Sequence, residues 1–251
     1  MTGLILAAGI GERLNKNMDQ YVCKPLQKVN GLPLIVYSLK LLENTDVEKV
    51  IIVVGKYSEE IRAEIGDSFG KMKVEYEIQQ EQKGLVNAIV SGCRNCDDDV
   101  TVLLADELFV GAKPAECLKY FEDNSVDFLA TYTVEKDEEK IKSNFSFRLF
   151  EDGSPYDFIE KPPFAVNDMK GTGVCVFSSR CIDKLKEKYD ESLNIPDTLC
   201  DFFNMLTEEN MNGAAFEFAD IEVNVNTPDD LERAKRLIEK TLSNEEQTQK
   251  L

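Results

Sequence analysis

The sequence predicts an α/β protein with a single doubly wound domain, built on a mixed, mainly parallel sheet and carrying a second, smaller lobe. Apolar runs of strand length alternate along the chain with amphipathic stretches of helix length, which implies right-handed crossovers between parallel strands. The runs at 49–55 and 100–105 are continuously apolar, as in central strands covered on both faces. With 251 residues, the chain can bury the core of one large domain.

The first half of the chain contains most of the predicted parallel strands. Apolar runs alternate there with stretches in which apolar residues recur at helical spacing. The expected elements are a strand from Gly3, a helix at 34–42, a strand at 49–55, a helix at 58–65, a strand at 74–78, a helix at 84–92 and a strand at 100–105.

The second half is predicted to add the smaller lobe and the last helix. The strands at 145–150 and 156–159 are expected to form that lobe. The other expected elements are a strand at 126–134, a charged segment at 135–142, a strand at 170–177, a helix at 197–206 and strands at 215–218 and 223–226.

The last helix has a clear start signal. Thr227 at the N-cap, Pro228 in the first turn and Asp230 at the third position favour a helix that begins there. Its buried stripe is expected to consist of Leu231, Ala234, Leu237, Ile238 and Leu242. We expect one domain over 1–243 and a frayed polar tail over 244–251.

Composition excludes several functional classes. A net charge of −18 argues against binding a nucleic-acid backbone or an anionic membrane surface. The chain has no histidine, which excludes histidine-dependent triads and metal sites. It has no apolar run of the ~20 residues that span a bilayer. Its seven scattered cysteines suit buried thiols in a reducing compartment, so we expect a cytoplasmic protein.

A glycine-rich turn follows the first strand. Gly9 and Gly11 let the backbone turn sharply beside a ligand, and the amides of such a turn form a ready anion site. Arg13 comes next, and the following loop could fold Lys24 back over the same pocket. Backbone amides, an arginine and a lysine together suit a polyphosphate. A turn made only for packing is the structural alternative.

Two common phosphate-binding motifs are absent from the sequence. A dinucleotide fingerprint needs a third glycine where this chain has Leu14. A Walker loop needs Gly-Lys followed by serine or threonine, which occurs nowhere in the chain. The glycine-rich turn is therefore predicted to be a phosphate loop of another kind.

Polar side chains at two strand ends predict a magnesium site. The strand at 100–105 stops at Asp106-Glu107, where ligands collect in open α/β sheets. Asp106 is the metal candidate, because magnesium prefers carboxylates combined with substrate phosphates. Period-two alternation places Asn224 and Asn226 on one face of the last strand, where a carbonyl oxygen could complete the shell. The structural alternatives are an acid that caps the next segment and a purely structural turn.

Two later segments carry candidate substrate-binding groups. Glu160-Lys161-Pro162 ends a predicted strand and offers a carboxylate for hydroxyls and an ammonium for a phosphate. Alone, this tripeptide is more often a turn at the end of a strand. Gly171-Thr172-Gly173 lies in the predicted strand at 170–177, and its glycines could allow close approach of a ligand.

The glycine-rich turn resembles the opening of the sugar-1-phosphate nucleotidylyltransferases, also called sugar-nucleotide pyrophosphorylases. Their pattern is Leu-Ala-Ala/Gly-Gly-x-Gly-x-Arg-Leu, followed after a loop by Lys-Pro-Leu. This chain has Leu6-Ala7-Ala8-Gly9-Ile10-Gly11-Glu12-Arg13-Leu14 and then Lys24-Pro25-Leu26. Leu104-Ala105-Asp106 and Glu160-Lys161-Pro162 follow in the family's order, so the resemblance covers most of the chain.

The resemblance implies a fold, an activity and partners. The fold would be the GT-A-like nucleotidyltransferase fold, with the smaller lobe binding the acceptor. The activity would be a magnesium-dependent coupling of a nucleoside triphosphate to a sugar-1-phosphate or similar small phosphomonoester, with release of pyrophosphate. The partners would be these two substrates with Mg²⁺ as cofactor, without nucleic acid or membrane, and a homo-oligomer is left open.

The resemblance also implies a role for each candidate residue. The catalytic set is Arg13, Lys24, Asp106 and Lys161. The nucleotide-binding set is Leu6, Ala7, Ala8, Gly9, Gly11, Gln79 and Gly84. The substrate-binding set is Glu160, Lys161, Thr172 and Gly173. The metal ligands are Asp106, Asn224 and Asn226, with the choice between the two asparagines depending on alignment.

Departures from the family's pattern leave the substrates open. Gly84-Leu85-Val86-Asn87-Ala88 stands where many members have Gly-Thr-Ala-Asp-Ala, and an asparagine replaces the second metal-binding aspartate of thymidylyltransferases. The Asn-x-Asn-Thr-Pro segment resembles molybdenum-cofactor guanylyltransferases, which lack Glu-Lys-Pro.

A cytidylyltransferase of a non-sugar phosphate and a nucleotide-binding regulatory module are further alternatives. Glycosyltransferases usually have Asp-x-Asp, where this chain has Asp106-Glu107-Leu108.

Overall fold

The computed structural model of the protein describes residues 1–15, 21–81, 83–190 and 195–248. The strands in these ranges are β1 Thr2–Leu6, β2 Lys28–Val29, β3 Leu32–Pro33, β4 Lys49–Val54, β5 Ser68–Phe69, β6 Met72–Ile78, β7 Val100–Leu104, β8 Glu107–Val110, β9 Phe128–Val134, β10 Phe145–Leu149, β11 Pro155–Glu160, β12 Met169–Phe177, β13 Gly213–Glu217 and β14 Ile221–Asn224. The helices are α1 Glu12–Asn15, α2 Leu34–Glu43, α3 Ser58–Ile65, α4 Gly84–Cys93, α5 Pro114–Asp123, α6 Glu138–Lys142, α7 Ser179–Asp190, α8 Leu199–Glu208 and α9 Pro228–Thr248, and Lys24–Leu26 forms a short 3₁₀ turn.

The central sheet confirms the predicted fold class. Its strand order is β13-β9-β12-β7-β1-β4-β6-β5. The central strands β7, β1, β4 and β6 are mutually parallel, β13 is parallel to β9, and β12 runs antiparallel to both β9 and β7. The carboxyl ends of β1, β4, β6 and β7 therefore meet at one edge of the sheet.

Two hydrophobic clusters cover the faces of this sheet. Along β1 and β4, successive side chains enter opposite clusters, with Leu4 and Val53 on one side and Ile5 and Ile52 on the other. All four side chains are fully buried. A strand that is buried on both faces must be apolar at every position, which accounts for the unbroken apolar run of β4.

The smaller lobe is built on the antiparallel hairpin of β10 and β11, as the sequence predicts. Phe147 of β10 and Phe158 of β11 lie with ring centroids 5.0 Å apart. Phe158 also stacks at 4.6 Å on Phe203 of α8. The hairpin is thus fixed to the domain by an aromatic core, which positions Glu160 at its end.

Several elements differ from the sequence prediction. Helices α5 and α7 were not predicted, because each buries few apolar residues within a polar stretch. Strand β8 was not predicted, because it has only four residues and begins directly after the Ala105-Asp106 turn that ends β7. Helix α9 continues through Thr248, into the expected polar tail. Leu242 is 49% exposed and does not belong to the buried stripe of α9. Among the described residues, no helix combines the length and apolar character that crossing a bilayer requires.

Candidate active site

A cleft of about 660 Å³ lies at the edge where the parallel strands end. We call it the loop cleft, since the turn after β1 forms one wall. The predicted residues that line it are Leu6, Ala8, Gly9, Gly11, Arg13, Lys24, Gln79, Gly84, Asp106 and Asn226. Residues from five distant parts of the chain therefore meet in this cleft, and three of these parts follow β1, β6 and β7 at the edge where those parallel strands end.

The glycine-rich turn leaves open space above Gly9. A Cβ atom at Gly9 would lie more than 4 Å from the other described atoms, so packing does not require glycine there. Gly11 has φ of 67°, in the left-handed region that favours glycine. Ala7 does not line the cleft, because its side chain belongs to the core cluster beneath the sheet. Its predicted contact with a ligand could come only from the backbone.

A group of charged and amide side chains forms the floor of the loop cleft. The Lys24 ammonium pairs with Asp106 Oδ2 and donates to Asn226 Oδ1 at 3.0 Å. The Arg13 guanidinium donates to the same Asn226 oxygen at 2.8 Å. Lys24 is only 8% exposed, since Pro25 and the 3₁₀ turn hold it against the sheet. The loop thus brings both predicted cations to the predicted metal ligands.

The N-terminus of α9 fixes the backbone of Asn226. The amides of Asn226 and Thr227 both donate to Asp230 Oδ2, at 3.1 and 2.8 Å. The Asp230 amide donates in return to the Thr227 hydroxyl at 3.2 Å, which completes the predicted cap. The strand ends at Asn224, so Asn226 lies beyond it and not on its face as predicted, but Asn226 Nδ2 donates to Asn224 Oδ1 at 2.8 Å and the two side chains are in contact.

The far wall of the loop cleft holds an amide network. Gln79 is 7% exposed, and its Nε2 donates to Asn87 Oδ1 at 2.7 Å and to the Gly84 carbonyl at 3.2 Å. The Asn87 amide in turn donates to the Tyr189 hydroxyl. Gln79 is therefore held rigidly by α4 and α7. Sequence reasoning did not find Tyr189, since α7 itself was not predicted.

A second cleft of about 870 Å³ joins the first and extends to the smaller lobe. We call it the lobe cleft. Three of the candidate substrate-binding residues line it, namely Glu160, Lys161 and Gly173. Lys161 has φ of 47° and an exposed side chain, whose ammonium lies 3.7 Å from Glu160 Oε1. The residues that line both clefts are Arg13, Gly84, Leu85, Leu104, Asp106 and Asn226.

Thr172 lies outside both clefts, so the position of its side chain does not support the predicted contact with substrate. Its side chain is fully buried, with the hydroxyl 2.5 Å from the Thr131 hydroxyl on β9. Thr172 and Gly173 lie where the register of β12 against β9 shifts, between Gly171 and Cys175, so strict alternation of faces along the strand does not apply to them. A Cβ at Gly173 would contact Leu104 at 2.4 Å, so the strands approach closely there.

Sequence reasoning also missed a buried ionic cluster beside the lobe cleft. Lys170 pairs with Glu222, and both side chains are at most 5% exposed. Glu107 is 2% exposed and accepts from the Gly173 amide. Burial raises the pKa of the Glu107 carboxyl well above its ordinary value, and the nearby Glu222 and Asp106 carboxylates add to that shift. Burial likewise raises the pKa of Glu222, while the Lys170 ammonium opposes the shift.

Two features of the sequence could have indicated this cluster. The period-two pattern of the last strand extends one step back from Asn224 to Glu222, so both belong to one face. Glu107 directly follows Asp106 at the end of β7. The register of β8 against β14, which places Asn224 opposite Glu107, is a long-range pairing that neither pattern contains.

The floor of the loop cleft offers hard oxygen ligands. Asp106 contributes carboxylate oxygens and Asn226 an amide oxygen, and Lys24 contacts both side chains. In the described ranges, no group of three or more acidic or cysteine side chains could enclose a metal ion. A cation bound here would complete its shell with water and phosphate oxygens, which is the usual coordination of Mg²⁺.

Comparison with known proteins identifies relatives of this chain. It is 28% identical over 179 residues to a UTP–glucose-1-phosphate uridylyltransferase of Haloferax volcanii, covering 71% of this chain and 72% of the relative. It is 24% identical over 192 residues to a D-glycero-alpha-D-manno-heptose 1-phosphate guanylyltransferase of Aneurinibacillus thermoaerophilus, covering 75% and 80%.

The fold also matches a solved structure. A putative glucose-1-phosphate thymidylyltransferase from Bacillus anthracis superposes with a TM-score of 0.81 at 21% identity, over 94% of this chain and 95% of that one. A model of the nucleotidyl transferase family matches residues 2–241. Since that match spans nearly the whole chain, the protein belongs to the nucleotidyl transferase family and is a nucleotidyltransferase.

Proposed function

We propose that the protein is a magnesium-dependent nucleotidylyltransferase that couples a nucleoside triphosphate to a sugar-1-phosphate or a similar small phosphomonoester and releases pyrophosphate. The observation that carries the proposal is the junction of the two clefts. Arg13, Asp106 and Asn226 line both of them, beside the buried ammonium of Lys24. One cleft can thus hold the triphosphate while the other presents the acceptor to it.

The reaction forms one bond and breaks another at the α-phosphorus. An oxygen of the acceptor phosphate attacks in line, and the bond from the α-phosphorus to the bridging oxygen of the β-phosphate breaks, so that pyrophosphate leaves with the electron pair. The attacking oxygen is already anionic at neutral pH, so no general base is needed. A chain without histidine can therefore catalyse this step by positioning and charge neutralisation.

Each residue at the junction has a role that follows from its position. Arg13 and the amides of the glycine-rich turn hold the departing pyrophosphate. Lys24, between Asp106 and Asn226, meets the attacking phosphate from the loop cleft, and Lys161 meets it from the lobe cleft. Asp106 and Asn226 would hold Mg²⁺, which when bound neutralises phosphate charge.

The lobe cleft supports a polar acceptor of sugar type. Glu160 stands at the end of the aromatic-anchored hairpin, with its carboxylate available to hydroxyl groups. The names of the two sequence relatives specify acceptors phosphorylated at position 1, with different bases on the nucleotide. These names support the acceptor class, while the base recognised by this chain is left to experiment.

The test is a grid of the common nucleoside triphosphates against sugar-1-phosphates and other small phosphomonoesters, with magnesium present. Pyrophosphate release and the mass of the coupled product are both measured. We expect one pairing to react, and we expect Asp106→Ala to abolish the signal. The matched control is Asp97→Ala, an exposed aspartate just before the opposite end of β7. Triphosphate binding with no product for any pairing would overturn the proposal and favour a regulatory module.

A further inference from the structure

We infer that Glu107 is a positioning residue, which acts through Asn224 to fix the direction of the Asn226 amide at the junction of the clefts. The inference rests on the proposed function, because it concerns how that site is kept ready. Glu107 begins β8, and the antiparallel ladder with β14 places Asn224 directly opposite it. The two side chains are therefore brought together by strand register.

A chain of hydrogen bonds joins Glu107 to the junction. Glu107 Oε1 and Oε2 accept from the Gly173 amide at 3.1 and 2.9 Å. Glu107 Oε1 also accepts from Asn224 Nδ2 at 3.4 Å. Asn224 Oδ1 accepts from Asn226 Nδ2 at 2.8 Å. Asn226 Oδ1 then accepts from Arg13 and Lys24.

The direction of this chain follows from the chemistry of its members. An asparagine amide has a donor end and an acceptor end, and Glu107 Oε1 accepts from both the Gly173 amide and Asn224 Nδ2. With its NH₂ group on Glu107, Asn224 must turn its oxygen towards Asn226. Asn226 then gives its NH₂ group to Asn224 and directs its oxygen into the cleft. The buried carboxylate thus determines which atom of Asn226 faces the substrates.

The two cations cannot maintain this orientation during the reaction. Arg13 and Lys24 hold the Asn226 oxygen in the absence of ligand. In the proposed reaction they bind phosphate groups instead. Glu107 is buried, and the Gly173 amide fixes it on the side of the lobe cleft. It therefore keeps the amide direction when the cations are engaged elsewhere. The same reasoning makes Asn226 the oxygen donor for a metal ion and Asn224 its support.

Reversing the polarity of the chain tests the inference. In Glu107→Gln, the side-chain carbonyl is expected to take the place of Oε2, which accepts the shorter of the two Gly173 bonds at 2.9 Å. The NH₂ group then takes the place of Oε1 beside Asn224. Asn224 then turns its oxygen towards the new glutamine and its NH₂ group towards Asn226. The Asn226 amide must turn over in response, so that its own NH₂ group faces Arg13 and Lys24. In Asn224→Asp, two carboxylates face each other across the ladder. Both variants should lose the oxygen ligand at the junction.

The double variant Glu107→Gln with Asn224→Asp should restore it. The new aspartate accepts from the new glutamine with one oxygen and from Asn226 with the other, so the Asn226 oxygen again faces the cleft. The net charge of the double variant equals that of the unsubstituted protein. A residue that acted only by filling space would give no such rescue, because the double variant would show the sum of the two losses.

The readout is Mn²⁺ binding in the presence of inorganic tripolyphosphate, followed by electron paramagnetic resonance, with melting temperature as the measure of folding. Each single variant is expected to bind Mn²⁺ about tenfold to a hundredfold more weakly, as for loss of a residue that orients a metal ligand. The double variant is expected to return close to the original affinity. Unchanged binding in the single variants, or a double variant that is weaker than either, would overturn the inference.

A third variant tests the inference even if Glu107→Gln fails to fold. Asn224→Ala removes the side chain that links Glu107 to Asn226 and leaves the Glu107–Gly173 hydrogen bonds intact, so it should weaken Mn²⁺ binding. Normal Mn²⁺ binding by Asn224→Ala would contradict the inference. Failure of the proposed function is separate, because it would appear as no product from the original chain while the Mn²⁺ measurement still reports on the amide direction.

Discussion

Lys24 and Asp106, which are 82 positions apart in the chain, form an ion pair where the loop after β1 meets the end of β7. The side chains are only 10% and 25% exposed, so their charges are partly removed from water. A phosphate would compete with Asp106 for the ammonium, and a metal ion would compete with Lys24 for the carboxylate. The pair is thus a preformed charge arrangement that the two ligands can divide between them.

Lys24→Met should lower kcat/KM by roughly 10²–10³-fold, by analogy with loss of one preorganised charge donor. Methionine retains most of the volume of the lysine, so packing around the 3₁₀ turn changes little. Steady-state kinetics on the pairing found in the substrate grid is the measurement. Lys71→Met is the control, since Lys71 is half-exposed and lies 4.0 Å from its nearest acid. A folded Lys24→Met protein with near-normal turnover would remove Lys24 from the catalytic set.

Gly9→Ala should leave folding intact and weaken tripolyphosphate binding. The added methyl group meets no described protein atom within 4 Å, so it occupies space that a ligand would need. Calorimetric titration with tripolyphosphate and thermal melting separate the two effects. Gly171→Ala is the contrast, because its Cβ would lie 2.2 Å from the Phe145 ring. That variant should lose about 1–3 kcal/mol of stability from overpacking. Unweakened phosphate binding by Gly9→Ala would show that this space is not used.

Several of the site residues could be predicted from sequence because they lie at strand ends. Asp106 and Gln79 directly follow predicted strands, and parallel strands end at one edge of a sheet. Glu107 was seen only as the neighbour of Asp106, since its partner Asn224 comes from the register of β14, which no local pattern specifies. The burial of the Thr172 side chain could not be predicted, because the register of β12 against β9 shifts between Gly171 and Cys175, and no local pattern specifies that shift.

Lys170→Met should destabilise the fold by about 3–5 kcal/mol, because it leaves the buried Glu222 carboxylate without its cation. Urea unfolding followed by circular dichroism measures the change. Replacing both partners, in Lys170→Met with Glu222→Leu, should recover most of the lost stability, since no charge then stays buried. If the double variant had the same low free energy of unfolding as Lys170→Met, the attraction between Lys170 and Glu222 would itself stabilise the fold. The loss in the single variant would then not come only from an unpaired buried charge.

The cysteines should resist thiol reagents in the folded protein. All seven are buried and free of disulfides. Burial raises the pKa of Cys23 to about 11 and the pKa values of Cys93 and Cys117 to about 12. Because the thiolate is the reactive form, a raised pKa leaves little thiolate at mildly alkaline pH, and the rate of thiol modification should increase as pH rises towards these values. A chromogenic disulfide reagent should therefore react slowly with the native protein. After denaturation it should react with all seven thiols. Rapid native reaction of one thiol would indicate that its segment opens, and peptide mapping would identify which.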